Sequence, residues 1–314
     1  MPGKMPNYIM LMTATLIWGT ALVAQDMGMA YIGPFLFNGA RFFIGAVVLL
    51  PVFAVGIRKD RGKGGIKGIP LKEGALCGIV LFLAASFQQI GILNTTVGKA
   101  GFITALYIVI VPVLSLFLGK RIRWYVWGCV LLAAAGVFLL CMDETLILGL
   151  GDSLVMLCAF STAVHILLIG RFSPSTDGIA LSFIQFCVCA ILSTSAAFAF
   201  EDVGWNAIIS ARGPILYTGV LSCGVAYTLQ TLGQKNVSPV IAALILSMES
   251  VFSALSGWAV LGEVLSVREM FGCTLMFIAI IMVQLPEALG SPSSPAVRAR
   301  GADKVKKMHT HAGW

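Results

Sequence analysis

The chain has 314 residues, 58% of them hydrophobic and 11% charged, with a net charge of +7. Water-soluble domains run at roughly 45–50% apolar and ~25% charged residues, so water is excluded as the main solvent of this fold. The positive balance does not point to nucleic acid, because the basic residues are spread over short gaps between apolar runs.

Ten apolar runs follow one another, at about 8–24, 34–57, 71–94, 99–118, 124–142, 151–171, 179–200, 214–235, 239–261 and 267–285. Each is near the ~20 residues that cross a ~30 Å hydrocarbon core as a helix. The first run has only Lys4 before it and no A-x-A pattern ahead of Asp26, so it reads as part of the mature fold and not as a signal peptide. After Leu285 the composition turns to Pro, Ser, Gly and basic residues. Residues 286–314 are therefore expected to be a disordered tail, its cations near anionic lipid.

The gaps give the orientation. Seventeen of the 21 Lys and Arg residues fall at the N-terminus, in alternate gaps (58–72, 120–123, 171 and 235) and in the tail. Only Lys99, Arg212 and Arg268 fall in the other gaps, which hold Asp26, Asp143, Glu144, Glu201, Asp202 and Glu263 instead. By the positive-inside rule both termini are cytoplasmic.

The chain also repeats itself. Trp18-Gly19-Thr20-Ala21 matches Phe160-Ser161-Thr162-Ala163, Gln89 matches Gln230, Gly98 matches Pro239, and Gly128-Cys129 matches Gly272-Cys273. The offset stays between 141 and 144 residues. Residues 1–142 and 149–285 thus read as two copies of five crossings. An odd number of crossings per copy puts the copies in opposite orientations. The expected fold is an all-α integral membrane protein of ten transmembrane helices in two inverted five-helix repeats, with a substrate site near the midplane between them.

Little points to catalysis. All eight cysteines lie inside apolar runs, where they read as small packing residues, and they form no metal-ligand spacing. Gly151-Asp152-Ser153-Leu154 lacks the D-x-x-H partner of a hydrolase, and Gly98-Lys99 is followed by Ala100 where a P-loop needs Ser or Thr. No H-E-x-x-H or G-x-S-x-G occurs. The sequence predicts no enzyme, no cofactor and no metal.

The candidates for function are the polar groups within the runs. A charge at a span centre costs ~2.5–3.5 kcal/mol on insertion scales. Arg41 lies seven residues past Pro34, ~10 Å along a helix, and Glu249 ten residues past Pro239, ~15 Å along. Arg41 reads either as a cavity cation for an anionic substrate group or as a structural cation on backbone carbonyls. Glu249 reads as a proton-coupling or substrate-binding carboxylate, or as a neutral acid bridging helices. Their mates in the other copy, Phe183 and Leu106, are uncharged, so the scaffold does not demand either charge twice. His165 reads as a packing residue or a proton carrier. Gln88, Gln89, Gln185 and Gln230 are amides suited to varied polar cargo, and Trp18 and Tyr107 are candidate aromatic walls, with Tyr227 and Trp258. Pro112 breaks the hydrogen-bond ladder of the fourth run and is the candidate hinge.

These residues resemble the drug/metabolite transporter superfamily, in its ten-span form with two EamA-type repeats. The resemblance is carried by Leu16-Ile17-Trp18-Gly19, Ala40-Arg41-Phe42, the stretch Thr96 to Ile103 leading to Tyr107 and Pro112, Leu118-Gly119-Lys120-Arg121, and Ser247-Met248-Glu249-Ser250 leading to Trp258 and Leu261-Gly262-Glu263. Ser250 stands where the family usually has proline, so the ninth run has no proline to kink it. The resemblance implies ten helices around a central cavity, alternating access, and export or exchange of a small polar metabolite across a bacterial inner membrane, with protons as one coupling partner and a monomer or dimer as the unit. An importer, a lipophilic-cation drug pump, a non-transporting receptor and a membrane-embedded enzyme are the alternatives.

Overall fold

The computed structural model describes residues 4–60, 69–95, 97–141, 149–256 and 266–288. All regular structure among them is helical. In chain order the helices are α1 (Met5–Met29), α2 (Pro34–Asp60), α3 (Leu71–Ile92), α4 (Val97–Ala105), α5 (Tyr107–Phe117), α6 (Trp124–Cys141), α7 (Leu150–Phe172) and α8 (Gly178–Phe200). They continue as α9 (Trp205–Ser210), α10 (Arg212–Tyr217), a π-helical stretch (Thr218–Tyr227), α11 (Thr228–Gly233), a 3₁₀ turn (Gln234–Asn236), α12 (Pro239–Leu246), α13 (Met248–Ser256) and α14 (Val267–Ala288).

Eight stretches among the described residues are long and apolar enough to cross a membrane. Two of these are composite: Ala100–Phe117 spans the break between α4 and α5, and Pro239–Ser256 the break between α12 and α13. A further apolar helix, Trp124–Leu139, is shorter, and α14 is 22 residues long. Trp258, the Leu261-Gly262-Glu263 group and residues 289–314 lie outside the described residues. The short helix α9 falls in a gap where the sequence predicts only a loop.

Local chemistry sets the helix ends. Asp177 Oδ1 accepts from Ala180 N at 2.7 Å to start α8, and Ser238 with Pro239 behind it starts α12. Gly119, at φ +73°, ends α5 in the left-handed conformation that glycine alone adopts without strain. Gly119 N donates to Leu116 O and Lys120 N to Ser115 O, closing the last turn.

The start of α2 is capped from a distance. The Glu201 carboxylate, just past α8, accepts from Phe35 N at 2.7 Å and from Leu36 N at 2.8 Å. A Cβ on Gly33 would sit 2.3 Å from Glu201 Cδ, so the cap needs glycine there. Glu201→Ala is expected to cost about 1–2 kcal/mol, read as a lowered unfolding temperature in detergent. Glu201→Gln, keeping one acceptor oxygen, should cost less.

The exposed and buried surfaces are inverted relative to a soluble protein. Phe117 is 84% and Trp124 86% exposed, while Asn38, Arg41, Gln89, His165, Gln185, Gln230 and Gln234 are buried. Large apolar side chains facing outward suit a lipid surround, and the polar groups are held within an otherwise apolar interior. Close helix approach comes from small residues: a Cβ on Gly74 or Gly78 of α3 would meet Ile184 or Val188 of α8 at 2.6–2.7 Å.

The main packing pairs are α2 with α8, α6 with α14, α3 with α7 and α8, α1 with α13 and with the stretch from α10 to α11, α2 with the π-helical stretch, α4 and α5 with α7, and α5 with α12. Exchanging each run for its counterpart in the other half leaves this set unchanged. Taken run by run, α2–α8, α6–α14 and the contact of the α4–α5 run with the α12–α13 run map onto themselves, α3–α7 maps onto α1 with the α10–α11 stretch, α3–α8 onto α2 with the π-helical stretch, and α1 with α12 and α13 onto α4 and α5 with α7.

Candidate functional site

Two helix breaks shape the centre of the bundle. The fourth run breaks at Leu106, between α4 and α5, and the ninth at Ser247, between α12 and α13. Leu106 and Ser247 are 141 residues apart, the same offset that pairs Gln89 with Gln230. Pro112 lies within α5, six residues beyond the first break. The second break has no proline. Ser247 Oγ donates to Leu244 O at 2.8 Å, the local side-chain bond by which serine competes with the helical ladder. Tyr107 follows the first break directly, and Glu249 is the second residue of α13.

A third irregularity lies opposite. The π-helical stretch is ten residues long, whereas π-helix occurs mostly as single-turn bulges, frequently at functional sites. It is rich in small residues (Thr218, Gly219, Ser222, Cys223, Gly224) and ends on Tyr227. Trp18 Nε1 donates to the Ser222 carbonyl at 3.4 Å, and the Thr20 and Tyr217 hydroxyls share a 2.5 Å hydrogen bond, so α1 is tied to the stretch and to the end of α10 that leads into it. Tyr227 then makes edge contacts with Trp18 (4.7 Å between ring centroids), His165 and Phe186 (6.2 Å each), and a tilted one with Phe42 (5.9 Å).

Between these elements lies a cavity of about 50 Å³, room for roughly three to five waters at ~10–15 Å³ each. From the first half it takes Trp18 and Gln25 (α1), Arg41 (α2), Gln88 (α3), Thr104 (α4) and Tyr107 (α5). From the second half come Cys158, Thr162 and His165 (α7), Ser222 and Tyr227 (π-helical stretch), Gln230 (α11) and Glu249 (α13). A smaller adjoining cavity, about 20 Å³, shares Gln88, Thr104, Tyr107 and Glu249 and reaches Leu22 and the exposed Asp26. Glu249 is thus a wall of both.

Of the residues singled out in the sequence, Arg41, Glu249, Gln88, Gln230, Trp18, Tyr107, Tyr227 and His165 meet at this cavity. Gln185 stands behind it, accepting from His165 Nε2 at 2.9 Å. Gln89 turns elsewhere: its Nε2 lies 3.1 Å from Met29 Sδ and its Oε1 is unpartnered. The side chains of Lys99 and Trp258 lie outside the described residues. The structure adds Gln25, Thr104, Cys158, Thr162 and Ser222.

The electrostatics are uncompensated. Arg41 is 2% exposed, with Phe37 and Phe42 rings 5.6 and 5.0 Å from its Cζ. Its Nη1 donates to Gln25 Oε1 at 2.6 Å, and its Nε has no partner. Among the described residues Arg41 has no carboxylate partner, and the Glu249 carboxyl has neither a hydrogen bond nor an ion pair. A buried charge without a counterion is costly, and such charges mark substrate or ion pathways in membrane proteins. No group of three or more His, Cys, Asp or Glu side chains able to hold a metal occurs among the described residues.

An apolar-coated helical bundle with a small, bipolar polar chamber walled by both halves defines a multi-pass membrane protein of the transporter class. The chain belongs to the EamA-like transporter family, whose model matches residues 5–142 and again residues 149–285, and so to the drug/metabolite transporter superfamily. It is 32% identical over 277 residues to an uncharacterized transporter of Archaeoglobus fulgidus, covering 88% of this chain and 84% of that one. It is 26% identical to a chloroplastic WAT1-related protein of Arabidopsis thaliana (91% and 71% covered) and 26% identical to the uncharacterized transporter YoaV of Bacillus subtilis (87% and 94% covered). A solved crystal structure at 20% identity matches the fold with a TM-score of 0.74 over 91% of this chain and 99% of that one.

Proposed function

We propose that the chain is a secondary transporter that moves a small polar metabolite by alternating access, as an exporter or exchanger linked to protons, in a bacterial inner membrane with both termini cytoplasmic. Its ten runs act as two inverted five-helix repeats. The exchange symmetry of the helix contacts, with breaks at Leu106 and Ser247 one repeat apart, supports the inverted plan. The observation that carries the reading is the cavity walled by both halves, where Arg41 and Glu249 stand without a direct ion pair between them.

The size of the cavity supports movement as part of the mechanism. At about 50 Å³ it takes a few waters and no metabolite. Cargo therefore enters only when the helices rearrange. The two breaks and the π-helical stretch are the places where the main-chain ladder is already interrupted, so bending there costs least. Glu249, common to both cavities, is the group through which a proton and the cargo would be linked. Arg41 in the same wall argues against a lipophilic-cation pump, which needs an acidic aromatic chamber.

The test is efflux from proteoliposomes loaded with a metabolite mixture, with and without a pH gradient. Release of defined solutes, altered by the gradient, is the expected result; binding without release marks a receptor. Tags on the extramembrane segments of the two halves should report mirrored sidedness, and matching sidedness would remove the inverted plan.

A further inference from the structure

Among the described residues Gln25 is the one side chain that bonds the Arg41 guanidinium, and nothing in its sequence context marks it. It is 5% exposed, one residue from Asp26, whose side chain is exposed and faces the adjoining cavity. Its amide is fixed at both ends. Nε2 donates to Ala21 O, one turn back on α1, at 3.4 Å, and Oε1 accepts from Arg41 Nη1 at 2.6 Å. The Ala21 carbonyl and the Arg41 donor together allow only this orientation of the amide.

A carboxylate at this position would form a charge-assisted pair with Arg41 and neutralise it. The amide has nearly the same shape and accepts the same hydrogen bond, yet it leaves the positive charge in place. The guanidinium also keeps a buried Nε with no partner, and both Arg41 and Gln25 border the cavity. A site that orients a cation with a neutral acceptor, and among the described residues pairs it with no carboxylate although Glu249 lines the same cavity, is built for a counterion that arrives from outside.

We infer that Gln25 is a specificity-determining residue, a neutral acceptor that aims Arg41 while keeping its charge uncommitted, so that the cargo is a small molecule bearing a carboxylate. This rests on the transport reading above and narrows its cargo. The carboxylate takes the remaining guanidinium donors, and Gln25 keeps Nη1 in place while the site is empty.

The experiment uses the full chain in proteoliposomes loaded with an equimolar labelled mixture of alanine, succinate, putrescine, ribose and uridine, with efflux of each solute read by mass. The wild-type protein is expected to release the carboxylate-bearing solutes, alanine or succinate, ahead of the others. Gln25→Glu should slow those solutes ~tenfold or more, with an unfolding temperature equal to or above wild type, because the new ion pair is internal. Gln25→Met keeps the site neutral and removes the acceptor; it should slow carboxylate efflux a few-fold and keep the order of solutes. The double variant Gln25→Glu/Arg41→Gln, with carboxylates at positions 25 and 249 and the Arg41 cation removed from the cavity wall, should favour putrescine.

A merely structural Gln25 would lower all solutes together in both single variants. That result, or a wild-type protein releasing only putrescine, ribose or uridine, overturns the carboxylate inference and leaves the transport reading standing. A folded wild-type protein that releases none of the five removes the transport reading and the inference with it. Should Gln25→Glu not fold, Gln25→Met decides by itself: a fall in carboxylate efflux greater than the fall for putrescine, ribose and uridine upholds the inference, and an equal fall for all five overturns it.

Discussion

Glu249→Gln is expected to give a folded protein whose efflux falls roughly 10–100-fold and no longer responds to a pH gradient. The fold should survive because the side chain keeps its shape and the carboxyl has no partner to lose among the described residues. Efflux should fall because, among the described residues, the carboxylate is the only acidic side chain bordering the central cavity. A hydrogen bond to a charged group is worth ~1.5–3 kcal/mol, and ~1.4 kcal/mol is a factor of ten. The pH response should vanish because the amide cannot exchange a proton, whereas the acid can do so through the adjoining cavity that ends at Asp26. The measurement is initial efflux rate against imposed gradient, with the unfolding temperature of both proteins as the control. Unchanged rate and unchanged gradient dependence in the variant would take Glu249 out of the pathway and return it to a packing role.

How far the sequence reaches is visible at particular residues. Run boundaries follow from apolar length, so the sequence places the second run at 34–57, the third at 71–94 and the seventh at 179–200, against helices Pro34–Asp60, Leu71–Ile92 and Gly178–Phe200. The first run is cut at 24 because Gln25 and Asp26 are polar, yet α1 continues to Met29. That shortfall hides Gln25, the residue bonded to Arg41. Hydropathy reads water affinity, and a polar residue facing an internal cavity has the same value as one at a membrane surface.

The breaks are hidden for a different reason. Proline is the signal a sequence offers for an interrupted helix, and Pro112 lies within α5 while the chain breaks at Leu106. In the ninth run the break comes with no proline at all, at a serine whose hydroxyl bonds its own helix. The adjacent amides show the limit of composition: successive helical residues are ~100° apart, so of Gln88 and Gln89 only one can face a given cavity, and it is Gln88. Nor does any periodicity forecast the π-helical stretch, since one extra residue per turn leaves the apolar content unchanged.

Gly19→Ala is expected to destabilise the protein by about 1–3 kcal/mol, the cost typical of overpacking, and to lower efflux beyond what the stability loss explains. A Cβ on Gly19 would lie 2.7 Å from Phe252 Cβ and Ser253 N and 2.8 Å from Phe252 C. Two of those atoms are main chain of α13, which a rotamer change cannot move, so α1 and α13 must separate. The displaced helices are the two that carry Trp18 and Glu249 into the cavity, and a shift of α1 also disturbs the contact between Trp18 and Tyr227. The paired control is Gly128→Ala on α6, where an added Cβ meets nothing within 4 Å. There, alanine's better helix propensity should leave stability unchanged or raise it by up to ~1 kcal/mol, with efflux untouched. Thermal unfolding of both variants in the same detergent, alongside efflux at a temperature well below either transition, separates packing from propensity. Equal unfolding temperatures for the two variants would mean that α1 and α13 are not in the close contact on which the position of Glu249 depends.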